Sequence, residues 1–249
     1  MPRCDFACRG CYLGEEANRI PAESVDGIKA QMRALRPILG PAGNLQLTDR
    51  EVTLRRPEEV IELLRYARTL DLIPMLMTHG DSFRRRAGLL ERYVREGGLT
   101  EVSIHSDTTQ RGRVGSYKGA VHESERNALR AEFGAMLRDV RRATGINVRA
   151  ATTMTVTPEN LAGVADVVRW LMENPDAFFM VSFQPIAQVG RAEDRLSDSV
   201  DVEALWAEIA RGFALRHVGP FAWHWLKRLH PGEPWRALFA LATGRLRTA

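Results

Sequence analysis

The stretch Cys4-Asp5-Phe6-Ala7-Cys8-Arg9-Gly10-Cys11-Tyr12 contains every cysteine of this 249-residue chain. Its C-x-x-x-C-x-x-C spacing supplies three thiolates, one fewer than the four that close a structural zinc site or an ordinary iron–sulfur cluster. A cluster held by three cysteines keeps one iron open, and an open metal position is typical of catalytic sites. The spacing therefore indicates a metal centre that can bind a further small molecule.

Two other interpretations of the cysteines are open. A zinc knuckle could combine the three thiolates with a distant His79 or His105, although structural zinc sites usually present their ligands as two separated pairs. Three unrelated buried cysteines are the other possibility, but buried cysteines normally scatter through a core. The tight clustering favours a metal centre over both.

The composition is that of an ordinary globular protein. The chain is 45% hydrophobic and 27% charged, and its length suits one barrel-sized domain. No apolar run approaches the roughly 18–20 residues of a membrane span, and the sequence does not open with a signal-peptide pattern. Clustered cysteines kept free for iron fit a reducing compartment, so we expect a cytoplasmic protein.

The positive charge is mild. The net charge is +4, with arginines grouped at 84–86 and 138–142. A nucleic-acid site normally shows denser basic clustering with interleaved aromatic residues. We therefore expect these arginines to lie on solvated helix faces and expect no nucleic-acid partner.

Apolar strands alternate with helical periods along the chain, which is the βαβ pattern of a parallel sheet covered by helices. The predicted strands are 44–48, 73–78, 101–107, 147–155 and 178–185. The predicted helices are 25–38, one beginning at Pro57, 83–96, 123–144, one ending at Glu173, and 200–216. The polar loop 108–119 fits either a substrate lid or an ordinary surface loop.

The cysteine stretch resembles the cluster loop of the radical S-adenosylmethionine (SAM) enzymes. The resemblance implies that Cys4, Cys8 and Cys11 bind a [4Fe-4S] cluster whose open iron is chelated by the amino and carboxylate groups of SAM. It implies reductive cleavage of SAM to methionine and a 5'-deoxyadenosyl radical, which abstracts hydrogen from a substrate. The family usually has an aromatic residue before the last cysteine; here Gly10 stands there, and we expect Tyr12 to take over that packing.

A second family motif, G-G-E-P, follows the next strand, where backbone atoms and the glutamate hold the amino group of SAM. The corresponding segment is Thr48-Asp49-Arg50-Glu51-Val52. Thr48 and Glu51 match, whereas Asp49, Arg50 and Val52 replace the glycines and the proline. Glycine permits close backbone approach, so the replacements are expected to weaken or reshape SAM binding. A solvated loop carboxylate is the alternative interpretation of Glu51.

Polar residues also gather at the predicted strand ends, where barrel active sites lie. Thr78-His79-Gly80 occupies the place of a T-N-G common in the family, with His79 as a proton donor or a polar packing residue. Ser103, His105 and Asp107 share one face of their strand, as do Arg149 with Thr153 and Ser182 with Gln184. By position, the resemblance adds Asp107, Thr153 and Gln184 to the residues near SAM or substrate. The candidate catalytic residues are His79 and His105; the candidate cofactor-binding residues are Tyr12, Thr48, Glu51, Ser103, Asp107, Thr153 and Gln184.

The resemblance implies an α/β fold over residues 1–191: a partial (β/α)6 barrel of parallel strands, similar to a TIM barrel. Only Met1-Pro2-Arg3 precedes Cys4, so we expect the first strand to be missing or truncated. Residues 192–249, with three of the five tryptophans between Trp223 and Trp235, are expected to form a helical C-terminal extension. The extension either covers the open side of the barrel, which is the preferred prediction, or faces a partner.

The implied cofactors are a [4Fe-4S] cluster and SAM. The implied partners are a low-potential electron donor of the ferredoxin or flavodoxin type and a substrate that the sequence does not identify. The segment Ser103–Arg113, with Ser182–Pro185 and Gly190-Arg191, resembles a branch of the superfamily that contains lipid- and pterin-modifying enzymes. Two alternatives from other classes are a degenerate barrel that binds a cluster or ligand without turnover and a zinc-stabilised RNA-binding module.

Overall fold

Five parallel strands form the sheet of this protein. The computed structural model describes residues 4–6, 8–9, 11, 13–14, 18–48, 50–187 and 200–213. Within these residues the strands are β1 (Gly43–Leu47), β2 (Leu72–Thr78), β3 (Glu101–His105), β4 (Arg149–Val156) and β5 (Met180–Pro185). Each strand pairs with the next in chain order, and every pairing is parallel. The sheet curls into a half-barrel, which confirms the predicted α/β partial barrel.

Helices connect the strands and pack against the sheet. They are α1 (Val25–Leu39), α2 (Pro57–Thr69), α3 (Asp81–Arg85), α4 (Leu89–Gly97), α5 (Asn127–Thr144), α6 (Val164–Glu173) and α7 (Val202–Gly212). Helix α1 begins after Ser24, whose hydroxyl accepts a hydrogen bond from the Gly27 N–H at 2.9 Å. Helix α2 begins with a proline, at a position where the missing N–H does no harm.

The predicted helix 83–96 is wrong as a single element. Helix α3 ends at Arg85, and α4 begins only at Leu89. Gly88 lies between them with φ 77°, a left-handed conformation that glycine adopts without strain. The predicted helix 123–144 likewise begins with a short 3₁₀ turn, Glu123–Arg126, before α5. Strand β3 ends at His105 rather than at Asp107, so Asp107 belongs to the loop that follows.

The two faces of the sheet differ in polarity. On one face, Leu76, Val102 and Ala150 are neighbours across three strands and are completely buried in the core shared with the helices. On the other face, His105 is aligned with Thr153. Residues aligned in parallel strands point to the same side of a sheet. One side of the half-barrel therefore carries the apolar core, and the other carries polar side chains.

The described part of the predicted C-terminal extension is helix α7, which packs against α6 in an apolar cluster that includes Val168 and Leu205. The predicted domain boundary at residue 191 and the three tryptophans between Trp223 and Trp235 lie outside the described residues. Among the helices that the structure describes, none has the length and apolar character required to cross a membrane.

Candidate functional site

A cavity of about 280 Å³ lies at the C-terminal ends of the strands. All three cysteines line it, together with most of the residues that the sequence predicted at a cofactor site. The predicted residues in its wall are Thr48, Glu51, His79, Ser103, His105, Thr153 and Gln184. The fold thus brings together residues from the cysteine stretch and from the ends of every strand.

The three cysteines are free and half-buried. Burial raises the pKa of the Cys4 thiol to about 11, and the nearby Glu51 and Asp5 carboxylates contribute in the same direction. Burial also raises the pKa of the Cys8 thiol, helped by the negative charge of Asp107. Metals bind thiolates, so a metal must displace protons from these thiols, and its positive charge favours that displacement.

The donor set suits a cluster better than a single ion. In an iron–sulfur cluster each cysteine binds a different iron, so the thiols surround the cluster and need not converge on one point. A structural zinc site requires four ligands around one ion. Three thiols in the wall of one cavity have the number and chemistry of the ligands of a three-cysteine cluster, and the described side chains form no compact group of three or more His, Cys, Asp or Glu that could hold a metal ion.

The cysteine stretch is held to the barrel by contacts that do not involve sulfur. The Asp5 carboxylate accepts hydrogen bonds from His79 Nε2 at 2.8 Å and from Arg85 Nη2 at 3.0 Å. The hydrogen bond from His79 is the main reason that the pKa of Asp5 falls to about 2. The Asn18 side chain bonds both the N–H and the carbonyl of Cys4, at 3.2 and 3.3 Å. These bonds fix the position of the loop at Cys4 and Asp5.

Phe6 packs deep in the barrel mouth. It is 2% exposed, and its ring is stacked on the ring of His79 with a centroid separation of 3.8 Å. The Arg113 guanidinium lies 4.7 Å from the Phe6 ring centroid. Arg113 also donates to the carbonyls of His79 at 2.7 Å and His105 at 3.0 Å. It therefore joins the ends of β2 and β3 to the cysteine stretch, and burial lowers its pKa to about 10.

Glu51 is 1% exposed, so its interpretation as a solvated loop carboxylate is wrong. Oε1 accepts hydrogen bonds from the Thr53 N–H at 3.2 Å and hydroxyl at 2.5 Å, and from the Thr78 hydroxyl at 2.6 Å. Oε2 accepts from the His79 N–H at 2.8 Å. The carboxylate therefore ties the turn after β1 to the end of β2, while the residue borders the cavity.

Both ring nitrogens of His79 are used within the protein. Nδ1 accepts from the Asp81 N–H at 3.1 Å, and Nε2 faces Asp5 at 2.8 Å and Glu51 at 3.2 Å. A ring that accepts at Nδ1 carries its proton on Nε2. These bonds favour the packing interpretation of His79 over the role of proton donor.

His105 and Asp107 form a pair at the end of β3. His105 Nε2 is hydrogen-bonded to Asp107 Oδ2, and Asp107 also accepts from the N–H groups of Thr109 at 2.8 Å and Thr155 at 2.7 Å. Burial disfavours the charged form of each residue, but the attraction and the hydrogen bond between them have the larger effect on both pKa values. The pKa of His105 is raised, and that of Asp107 is lowered to about 2. His105 faces the cavity, whereas Asp107 is fully buried behind it.

The remaining predicted residues complete the wall. The Ser103 and Thr153 hydroxyls are 3.1 Å apart on neighbouring strands. Thr48 and Gln184 are exposed and lie at the two outer strands of the described sheet, β1 and β5. Tyr12 lies outside the described residues.

Sequence reasoning missed several residues of the site. Loop 108–119 contributes Thr109 and Gln110 to the cavity wall, so its first part is not an ordinary surface loop. Asn18 and Arg113 offered no local signal, because their partners are distant in sequence. Arg50 was considered only as the loss of a glycine, yet its side chain also lines the cavity.

Comparison with known proteins gives a distant similarity. No model of a known protein family matches the sequence. The chain is 22% identical over 201 residues to the 7,8-dihydro-6-hydroxymethylpterin dimethyltransferase of Methanocaldococcus jannaschii. The aligned region covers 78% of this chain and 36% of that enzyme, so the chain spans about a third of the relative's length. In general terms, the similarity supports the resemblance of the cysteine stretch to radical SAM enzymes.

Proposed function

We propose that this chain is a radical SAM enzyme in which Cys4, Cys8 and Cys11 hold a [4Fe-4S] cluster and the adjoining cavity binds SAM. The observation that carries the proposal is the presence of three free thiols in the wall of one cavity, beside polar side chains from the strand ends. That cavity lies at the C-terminal ends of parallel strands, where barrel enzymes bind their substrates. The distant similarity to the pterin dimethyltransferase supports radical SAM chemistry in general.

When bound, the cluster would supply the low-potential electron that cleaves SAM to methionine and a 5'-deoxyadenosyl radical, with a ferredoxin- or flavodoxin-type protein as electron donor. The residues of the chain would bind the cluster and SAM and orient them. Asp5 and Phe6 fix the loop that presents the thiols. The hydroxyls of Ser103 and Thr153 and the amide of Gln184 provide hydrogen bonds for the sugar, the base or the substrate.

His105 is the residue that we assign to proton transfer. It lines the cavity with a 30% exposed side chain, and Asp107 fixes the orientation of its ring. A raised pKa keeps the ring protonated at higher pH than a free histidine. His105 is therefore suited to donate a proton to a substrate group, whereas His79 is committed to the cysteine stretch.

The first substrate to test is a reduced pterin. The distant relative is a 7,8-dihydro-6-hydroxymethylpterin dimethyltransferase, and a cavity of about 280 Å³ is of the right order for a small heterocycle. Because this chain spans only part of that enzyme's length, the substrate assignment rests on experiment.

The decisive experiment is anaerobic reconstitution of the chain with iron and sulfide, followed by reduction with dithionite in the presence of SAM. The product to measure is 5'-deoxyadenosine, with Cys8→Ala as the parallel variant and Ser116→Ala, an exposed position in loop 108–119, as the control. We expect 5'-deoxyadenosine from the parent and from Ser116→Ala, and none from Cys8→Ala.

Three other outcomes identify the alternatives. A cluster that assembles but yields no 5'-deoxyadenosine indicates a degenerate barrel. Bound zinc without acid-labile sulfide indicates a zinc-stabilised module, for which RNA binding is then the assay. Failure to bind iron at all contradicts the proposal.

A further inference from the structure

Arg50 has an unusual backbone conformation for a large residue. Its φ is 57°, in the left-handed region that is disfavoured for residues with a side chain. Two other described non-glycine residues, Ala42 and Asp71, have positive φ, and both precede a strand. Arg50 instead follows the C-terminal end of β1, at the cavity. Strained backbone conformations are often found at ligand-binding sites, where they place a functional side chain.

Two of the three guanidinium nitrogens of Arg50 are buried without a partner. Nε and Nη1 are inaccessible to solvent and have no hydrogen-bond partner among the described residues. Guanidinium nitrogens are strong donors that normally find acceptors when buried. The same side chain lines the cavity beside the cysteines. The two unpaired donors therefore belong to a side chain that a ligand in this cavity would contact.

The neighbouring carboxylate does not serve as the missing partner. Both carboxylate oxygens of Glu51, the next residue, already accept hydrogen bonds from Thr53, Thr78 and His79. The other arginine in the cavity wall, Arg9, is paired with Glu159 at 3.5 Å. The buried Arg113 has acceptors for Nε, Nη1 and Nη2. Arg50 differs from both in having a charged group that the described protein does not neutralise.

We propose that Arg50 binds an oxyanion, a carboxylate or a phosphate, of the molecule that occupies this cavity. An oxyanion satisfies both requirements of the guanidinium, because it neutralises the charge and accepts its hydrogen bonds. The inference rests on the proposed function and deepens it. The oxyanion has two possible sources: the methionine carboxylate of SAM, or an anionic group on the substrate.

The test uses the full chain and three variants of Arg50. Arg50→Gln removes the charge, Arg50→Lys keeps the charge without the planar donor group, and Arg50→Gly removes the side chain while relieving the left-handed backbone. Arg68→Gln, at an exposed position on α2, is the control. The melting temperature of each metal-free protein is measured first. Arg50→Gly is expected to be at least as stable as the parent, which separates a binding defect from a folding defect.

Binding is then measured with two probes. Inorganic phosphate is titrated against the metal-free proteins, and the shift in melting temperature is recorded. SAM and 5'-methylthioadenosine, which lacks the amino acid carboxylate, are titrated against the cluster-loaded proteins by equilibrium dialysis. The second pair tests whether Arg50 acts on the amino acid portion of SAM, which carries the carboxylate and is absent from 5'-methylthioadenosine.

Two results support the proposal and identify the source of the oxyanion. If SAM supplies it, Arg50→Gln weakens SAM binding at least tenfold and leaves 5'-methylthioadenosine binding unchanged, with partial recovery in Arg50→Lys. If the substrate supplies it, SAM binding changes less than twofold, and the stabilisation by phosphate seen in the parent disappears in Arg50→Gln.

The proposal is overturned if Arg50→Gln behaves like Arg68→Gln with both probes. Failure of the proposed function is a separate result: the parent then makes no 5'-deoxyadenosine, while its response to phosphate still depends on Arg50.

Discussion

The ring of Phe6 lies parallel to the ring of His79, with centroids 3.8 Å apart and an angle of 4° between the planes. Phe6 stands between the first two cysteines, and His79 directly follows the second strand. The same imidazole is hydrogen-bonded to Asp5. One side chain at a strand end therefore holds two consecutive residues of the cysteine stretch, by stacking and by a hydrogen bond.

Replacing His79 by alanine should release the cysteine stretch. The stacking of two rings contributes about 0.5–1.5 kcal/mol, and a hydrogen bond to a charged group contributes about 1.5–3 kcal/mol. We expect the three thiols of metal-free His79→Ala to react with iodoacetamide about tenfold faster than those of the parent. His79→Phe, which keeps the ring, should lie between them. The exposed His122→Ala is the control, and equal rates in all four proteins would contradict this role.

Gly112 should be sensitive to the smallest enlargement. A Cβ at this position would lie 2.7 Å from the Cα atom of Phe6, closer than atoms can approach without movement of the loop. We expect Gly112→Ala to reduce the iron and sulfide content after reconstitution by more than half. Ser116→Ala in the same loop should load like the parent. Normal loading of Gly112→Ala would show that the Phe6 contact is dispensable.

Glu51→Gln should lower the free energy of unfolding by about 1–3 kcal/mol, because an amide replaces one acceptor oxygen by a donor and leaves a buried bond unmade. Four protein donors surround the carboxylate. The matched control is Glu62→Gln, whose side chain is 53% exposed and pairs with Lys29. An exposed pair contributes little, so we expect a change within about 0.5 kcal/mol there. Urea unfolding provides both values, and equal effects would contradict the structural role of Glu51.

The acid stability of the protein should depend on Asp107. Its pKa is lowered to about 2 in the folded protein, below the value of about 3.9 for an unfolded chain. A lowered carboxyl pKa stabilises the fold above the unfolded pKa, and the contribution is lost as the pH falls from about 4 towards 2. The difference between these two pKa values corresponds to roughly 2.5 kcal/mol.

Urea midpoints of the parent and Asp107→Asn, measured between pH 6 and pH 3, test this dependence. The parent should lose stability over the acid part of that range more steeply than Asp107→Asn, and the exposed Asp139→Asn should follow the parent. Parallel curves for the parent and Asp107→Asn would exclude the predicted linkage.

Local patterns in the sequence predicted the architecture because they depend on local physics. The alternation of apolar strands with helical periods gave the parallel order of β1 to β5. The break between α3 and α4 was missed because Gly88, inside an otherwise helical pattern, gives no sign of its left-handed backbone. Asp107 was assigned to the ligand-facing side because alternation was continued past His105. The strand ends there, and the next carboxylate turns inward to accept hydrogen bonds from Thr109 and Thr155.

The gathering of the strand-end residues at one site could be predicted, but the individual contacts between residues distant in sequence could not. From the sequence, His79 fitted a proton donor and a packing residue equally well. The structure shows Phe6, 73 positions earlier in the chain, stacked on its ring. Arg50 looked like a lost glycine, since sequence alone does not indicate which buried donors lack acceptors.

The hydrogen bonds and ring contacts that hold the cysteine stretch should keep it folded in the absence of a metal. Zinc fingers unfold when the metal leaves, because metal binding supplies most of their folding free energy. Here Asp5 and Phe6 are attached to the barrel through His79, and Asn18 holds the backbone of Cys4, by contacts that involve neither sulfur nor iron. If the proposed cluster is lost to oxygen, the cysteine stretch should thus stay attached to the barrel, and iron and sulfide could be reloaded without refolding the chain.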